Sequence, residues 1–215
     1  MRKDYRERLP AKLVDGNYTK TYKGACGKRF CYKEYSIYSN MYNRVYSKVR
    51  QLDDPCYEKI MISDNFKDYN YFAAWCQNQK GFHNKGWVLD KDILSGEEKS
   101  YSEQTCVFIP ILINSFLTFS RKHGGKSGYA GVTWHEGYTK SYGKYIVSCA
   151  QLNGKNKTLG RTHCPLEGYK LYRAEKVRLA KVLAGRYKGE VDDRVYDYLI
   201  NFDDHIDPLA IKEPL

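Results

Sequence analysis

One stretch of the chain changes hydrophobic period twice, and it limits the folds open to the rest. Residues 88–94 (Val-Leu-Asp-Lys-Asp-Ile-Leu) and 106–109 (Cys-Val-Phe-Ile) are short apolar runs. Ser95, Gly96, Glu97, Glu98 and Lys99 between them have turn chemistry. Pro110 stops the second run, and residues 111–119 resume with helical spacing. The expected order is strand, turn, strand, helix. On the first strand Asp90 and Lys91 face opposite sides unless the strand is bulged, whereas Asp90 and Asp92 share a face.

The motif Leu89-Asp90-Lys91-Asp92-Ile93, then Tyr101-Ser102, then Thr105-Cys-Val-Phe-Ile-Pro110, then Asn114 resembles the degenerate His-Asn-His (HNH) endonucleases of bacteriophages. Their ββα scaffold surrounds one metal ion. The resemblance implies that Asp90 and Asn114 hold a divalent metal, Mg2+ or Mn2+. It sets Lys91 where the family has its general-base His, and Thr105 near the middle Asn. A lysine is a poor base at neutral pH unless burial lowers its pKa, and charged it would clamp a phosphate instead. Asp92 joins Lys91 as a candidate catalytic residue, or joins Asp90 and Asn114 in an oxygen-ligand set suited to magnesium. The alternative is a decayed hairpin kept for folding and DNA contact.

Charge is unevenly spread. The net +11 of the 215 residues divides into +9 over residues 1–50, −4 over 51–114, +11 over 115–190 and −5 over 191–215. Two basic stretches flanking an acidic centre suit a polyanion gripped on both sides of a cation site. The 21 tyrosines interleaved with the basic residues favour nucleic acid over an anionic membrane. No apolar run is long enough to span a membrane, and the charged first ten residues do not read as a signal peptide. A cytoplasmic protein is expected, in the host cytoplasm if phage-encoded. Seven cysteines without a Cys-x-x-Cys pair give no zinc-finger pattern and read as reduced, mostly buried thiols.

Along the chain, residues 1–40 form a basic, partly extended arm. Residues 41–119 make the HNH-like domain. Within it Met41, Val45 and Val49 mark a helical face, residues 58–63 a strand, and Phe66, Tyr69, Phe72, Ala73 and Cys76 a second helix anchored by Trp75. Asp64 or Asn65 can cap that helix. His83 lies in the loop before the hairpin, within reach of the metal site by sequence. Residues 120–128, rich in glycine and basic side chains, read as a linker. Residues 191–215 hold one short helix and an acidic tail.

Residues 129–190 form a second module. Asn153-Gly154 signals a type I′ hairpin turn, and Tyr145, Val147 and Cys149 alternate towards a core. Pro165 and Glu167 begin a helix that lays Tyr169, Tyr172, Leu179 and Leu183 on the sheet, with Gly185 as its stop. Tyr129-Ala-Gly-Val-Thr-Trp134, Gly143-Lys-Tyr-Ile-Val147 and Thr158-Leu-Gly160 resemble the ethylene-response-factor (APETALA-type) DNA-binding domain of plants. That resemblance implies a three-stranded antiparallel sheet with one packed helix, its open face in the major groove of double-stranded DNA. The matching face positions are Ala130, Thr133, His135, Tyr142, Ser148, Asn156 and Thr158, with Lys140, Lys144, Lys155, Lys157 and Arg161 placed for phosphates. Trp134 is either core or a DNA contact, and alternation with Thr133 favours core.

The expected protein is therefore α+β: a degenerate ββα-metal domain followed by a sheet-helix DNA reader. Three functions fit: a phage-type homing or nicking endonuclease, a catalytically silent DNA binder, or an inhibitor that binds a host protein.

Overall fold

Helical and strand periods alternate along the chain, and the computed structural model realises both as a mixed α+β architecture. It describes residues 8–53, 57–96, 99–120, 127–135 and 143–206. The chain divides into two compact units, residues 1–110 with 190–192, and residues 111–189 with 193–215.

The first unit opens with two small hairpins, β1 (Leu13–Val14) with β2 (Asn17–Tyr18) and β3 (Thr21–Lys23) with β4 (Arg29–Cys31). A buried carboxylate fixes this arm. Glu34 accepts from the Ala11 backbone N–H at 2.8 Å and from Gln77 Nε2 at 2.8 Å. A buried acid without such donors would be strongly destabilising. Glu34 lies in α1 (Lys33–Tyr46), which is followed by α2 (Lys48–Asp53). The expected continuous face through Val49 is broken at Ser47, whose extended backbone turns α2, leaving Val49 exposed.

β5 (Met61–Ile62) is shorter than the expected strand, and Ser63 caps the helix rather than Asp64 or Asn65: its Oγ accepts from Phe66 N. Asp68 caps a second time, so the helix is split into α3 (Asp64–Lys67) and α4 (Tyr69–Asn78). Phe66, Phe72 and Cys76 are fully buried with Met41, Ile62 and Phe108, and the Trp75 ring packs on Phe66, Phe72 and Phe108. Full burial of each large apolar side chain contributes about 1.5–3 kcal/mol. β6 (Trp87–Asp90) pairs antiparallel with β8 (Val107–Pro110), in register Trp87 to Pro110 and Asp90 to Val107. The short β7 (Ser100–Tyr101) between them pairs in parallel with β5.

The second unit begins at α5 (Ile111–Ser120), directly after Pro110. Most of the expected linker, residues 121–126, lies outside the described residues. β9 (Val132–Trp134), β10 (Tyr145–Ala150) and β11 (Asn156–Thr162) form an antiparallel sheet with β10 in the middle. The β10–β11 connection is not the expected type I′ turn, which needs positive φ at both central residues. Among the described non-glycine residues only Asp15 has positive φ. Instead Gly154 N–H bonds to Gln151 O, Gly154 is left-handed at φ 78°, and Gln151 N–H bonds to Lys155 O. This is a three-residue loop closed by a glycine bulge.

α6 (Pro165–Arg186) covers one side of the sheet, and its Tyr169, Tyr172, Leu179 and Leu183 are buried. Helix and sheet approach closely: a Cβ on Gly131, whose φ is 73°, would lie 2.0 Å from the Tyr172 ring. Gly185 does not stop α6, which runs to Arg186, and the left-handed glycine beyond it is Gly189. α7 (Asp193–Ile200) and α8 (Phe202–His205) complete the unit. Cys76, Cys106 and Cys149 are free and buried, while Cys26 and Cys164 are free and exposed.

Candidate nucleic-acid interface

Local hydrogen bonding shapes the end of the hairpin. The β6 strand stops at Asp90, because its Oδ1 accepts from the backbone N–H groups of Asp92 and Ile93, each at 2.9 Å. Such an Asx turn bends the chain out of the extended conformation. The expected strand through residue 94 is thus cut short, and Asp90 and Asp92 do not share a strand face.

Lys91 is only 6% exposed. Its Nζ lies 2.6 Å from Asp92 Oδ1, 5.8 Å from the centre of the Tyr57 ring and 5.5 Å from that of Tyr101. The Lys91 side chain is thus held between two aromatic rings and a carboxylate. Thr105 locks the next turn: its Oγ1 donates to Ser100 O at 2.6 Å and accepts from Ser102 N at 3.1 Å. His83 Nε2 sits 3.2 Å from Gln77 O. Asp90 belongs to the first unit, whereas Asn114 stands half-buried in the first turns of α5, in the second. Among the described residues no group of three or more His, Cys, Asp or Glu side chains is positioned to hold a metal ion.

The three-stranded sheet is organised differently. Tyr145, Val147 and Cys149 of β10 are buried under α6, so Ile146, Ser148 and Ala150 face the other way. Residues directly opposite in an antiparallel pair share a face. Ile146 pairs with Thr133 and Arg161, Ser148 with Thr158, and Ala150 with Asn156. Five of the expected DNA-contacting residues (Thr133, Ser148, Asn156, Thr158 and Arg161) therefore lie on one side of the sheet, around Ile146 and Ala150. The register slips between Val147 and Ser148, where Leu159 bulges out. That bulge keeps Arg161 on the face with Thr158, despite their odd spacing.

Lys157 is placed elsewhere. It pairs with inward-facing Cys149, and its Nζ lies 3.6 Å from Glu175 of α6. Glu175 also binds Arg178 at 2.8 Å and Gln151 at 3.1 Å. The hydrogen bond from Arg178 leads in holding the Glu175 carboxyl down to about 2. Lys157 is thus turned to the helix side, against expectation, because it alternates with Asn156 and Thr158, which lie on the open face.

Lys144 reaches over the rings of Trp134 and Tyr145 at 5.3 and 5.5 Å, and Lys155 is exposed beside the β10–β11 turn. Trp134 is not core: it is 41% exposed at the edge strand, edge-on to Tyr145. Alternation tells which side a residue faces, but not whether the helix reaches that far. His135 is half-buried, its backbone N–H on Lys144 O, and its Nδ1 has no hydrogen-bond partner among the described residues. Ala130 is half-buried just before β9. Lys140 and Tyr142 lie outside the described residues.

Sequence reasoning put Ile146 and Ala150 on the face opposite the core without counting them among the DNA contacts, and it did not single out Arg44 of α1, which lies over the Tyr57 ring. Their signals were present only as strand parity and as a basic residue in the last turn of a helix. Comparison of the chain with protein-family models, with curated proteins and with solved structures finds no significant match, leaving the site geometry to carry the functional conclusion.

Proposed function

We propose that this chain is a DNA-binding protein whose second unit lays the open face of its three-stranded sheet in the groove of duplex DNA. The observation that carries the reading is the shared face of Thr133, Ile146, Ser148, Asn156, Thr158 and Arg161, opposite the side sealed by α6. The face mixes hydroxyls, a carboxamide, small apolar side chains and one guanidinium, the groups that meet base edges, thymine methyls and phosphates. The +11 over residues 115–190 supplies sequence-independent attraction. Fluorescence anisotropy with duplex DNA should show binding at about 50 mM salt, with log affinity falling against log salt at a slope of roughly −4 to −5 for about 4 to 6 phosphates. No binding at that salt would overturn the reading.

Metal-dependent phosphodiester hydrolysis is the second reading. It is favoured by the chain order of β6, β8 and α5, with Asp90 at a strand end and Asn114 in the following helix. On this reading Asp90, an oxygen donor suited to a hard cation, would hold Mg2+ or Mn2+. Bound there, the metal would act as a Lewis acid on the scissile phosphate. Lys91, paired with Asp92, would clamp a phosphate oxygen rather than take a proton from water. Asp90→Asn keeps acceptors for the turn and separates folding from metal binding. On this reading it abolishes plasmid nicking while DNA affinity stays nearly intact. A wild-type protein that nicks with no divalent metal tried leaves the silent DNA binder.

A further inference from the structure

Strand register fixes which side chains share the open face of the sheet, and their chemistry is one-sided. Ile146 of the central strand β10 pairs with Thr133 and Arg161, Ser148 with Thr158, and Ala150 with Asn156. Thr133, Asn156, Thr158 and Arg161 are exposed, while Ile146, Ser148 and Ala150 are half-buried. Among the described residues, the side chains of Thr133, Ser148, Asn156, Thr158 and Arg161 have no hydrogen-bond or ion-pair partner. Their donors and acceptors are therefore left over by the fold. β propensity accounts for isoleucine and threonine on such a face. It does not account for Ala150 opposite Asn156, since both residue types are depleted in strands.

The groups on the face decide which bases it can read. In the major groove guanine presents two acceptors, met chiefly by Arg or Lys, and cytosine a donor, met by Asp or Glu. These paired positions hold no carboxylate and one cation, Arg161, near the end of the edge strand β11. Adenine instead sets a donor beside an acceptor, which an Asn carboxamide matches, and thymine adds a methyl group that suits small apolar side chains. Short side chains also set the depth of docking. With Ala, Ser and Thr on the face, the sheet backbone can come close enough to the base edges for Asn156 to reach them.

We propose that this face reads A·T base pairs from the major groove, with Asn156 on the N6 and N7 edge of adenine and with Ala150 and Ile146 packed on thymine methyl groups. This selectivity rests on the DNA-binding reading above. Arg161 is left to hold a phosphate. From Ile146 to Ala150 the strand runs about 13 Å, so the A·T core covers about four base pairs at about 3.4 Å each.

The test is fluorescence anisotropy of the full chain at low salt, with duplexes that differ only in a central block. One set carries all orders of A and T there, and a second carries G·C pairs. A third repeats the first with uracil for thymine, and a fourth repeats the second with inosine for guanine. The tightest sites should lie in the A·T set. Uracil removes only the thymine methyl and should weaken binding about fourfold for each methyl in contact. Inosine removes only the minor-groove amino group of guanine, so its duplexes should bind as weakly as the G·C set. Asn156→Ala should reduce the A·T preference by about 5- to 150-fold and leave G·C binding unchanged. Inosine duplexes as tight as the A·T set, with uracil without effect, would mean minor-groove reading and overturn the proposal. Equal binding to all sets overturns the selectivity and leaves the DNA-binding reading standing. No binding to any set overturns both.

Discussion

Among the described residues each unit buries one lysine, and the two are accommodated in opposite ways. Lys91 of the first unit has a carboxylate at 2.6 Å and two tyrosine rings around its ammonium. Lys176 of the second unit, 2% exposed on α6, meets only the Phe116 carbonyl at 2.8 Å and the Phe116 ring, whose centre is 3.5 Å away. Burial pushes the Lys176 ammonium down to about 8. The first lysine belongs to a polar cluster that supplies a carboxylate partner. The second is a packing element whose charge works against the fold. Burial alone therefore says little about what a lysine does; its counter-charge decides.

The largest expected effect breaks the first arrangement. Asp92→Ala leaves the Lys91 charge buried without its partner, which should destabilise the first unit by about 3 kcal/mol. Hydrogen exchange of α4 and β8 amides reads this unit separately from the other. The double variant with Lys91→Met should recover most of the loss; if it does not, the pair is not the reason.

The second effect runs in the opposite direction. Lys176→Met removes a disfavoured charge and should stabilise the second unit at pH 7 by about 2 kcal/mol. The folded pKa of Lys176 lies below its unfolded value of about 10.5, so between them the unfolded chain binds more protons and stability rises with pH. The penalty is full below about pH 8 and fades as the pH approaches that unfolded value. Buried Tyr172 is shifted upward and acts with the opposite sign once the pH passes about 10. Denaturation of wild type and Lys176→Met in parallel from pH 7 to 9.5 isolates the lysine, and a constant difference between them would contradict this assignment.

Smaller effects separate the two faces of the sheet. Ser148→Ala or Thr158→Ala should reduce discrimination between DNA sequences by about 1 kcal/mol where a base contact is lost. Arg161→Ala should reduce the salt slope by about 1. The smallest change is expected from Lys157→Ala, which loosens an exposed ion pair with Glu175 worth less than about 1 kcal/mol. It should leave the salt slope as it was. A slope change as large as that of Arg161→Ala would place Lys157 on the DNA side after all.

Much of the fold was legible from local pattern. The spacing of Phe66, Tyr69, Phe72, Ala73 and Cys76 marked a buried helical face, and all five are buried. Alternation in residues 145–150 gave the inward and outward sides of β10, and Pro165 with Glu167 marked the start of α6. The two apolar runs around residues 88 and 108 pair as an antiparallel hairpin. These features depend on neighbours three, four or two residues apart, so sequence alone determines them.

What only tertiary structure decided depends on partners distant in the chain. Asp90 terminates its strand by accepting two backbone N–H groups, a competition that strand periodicity does not register. One bulged residue between Thr158 and Gly160 keeps Arg161 on the open face, whereas plain alternation would have put it on the side of Lys157. Trp134 stands exposed because it sits on an edge strand. Side-chain direction follows from the backbone period, but burial and counter-charge follow from which elements meet, and that is settled only when the chain packs.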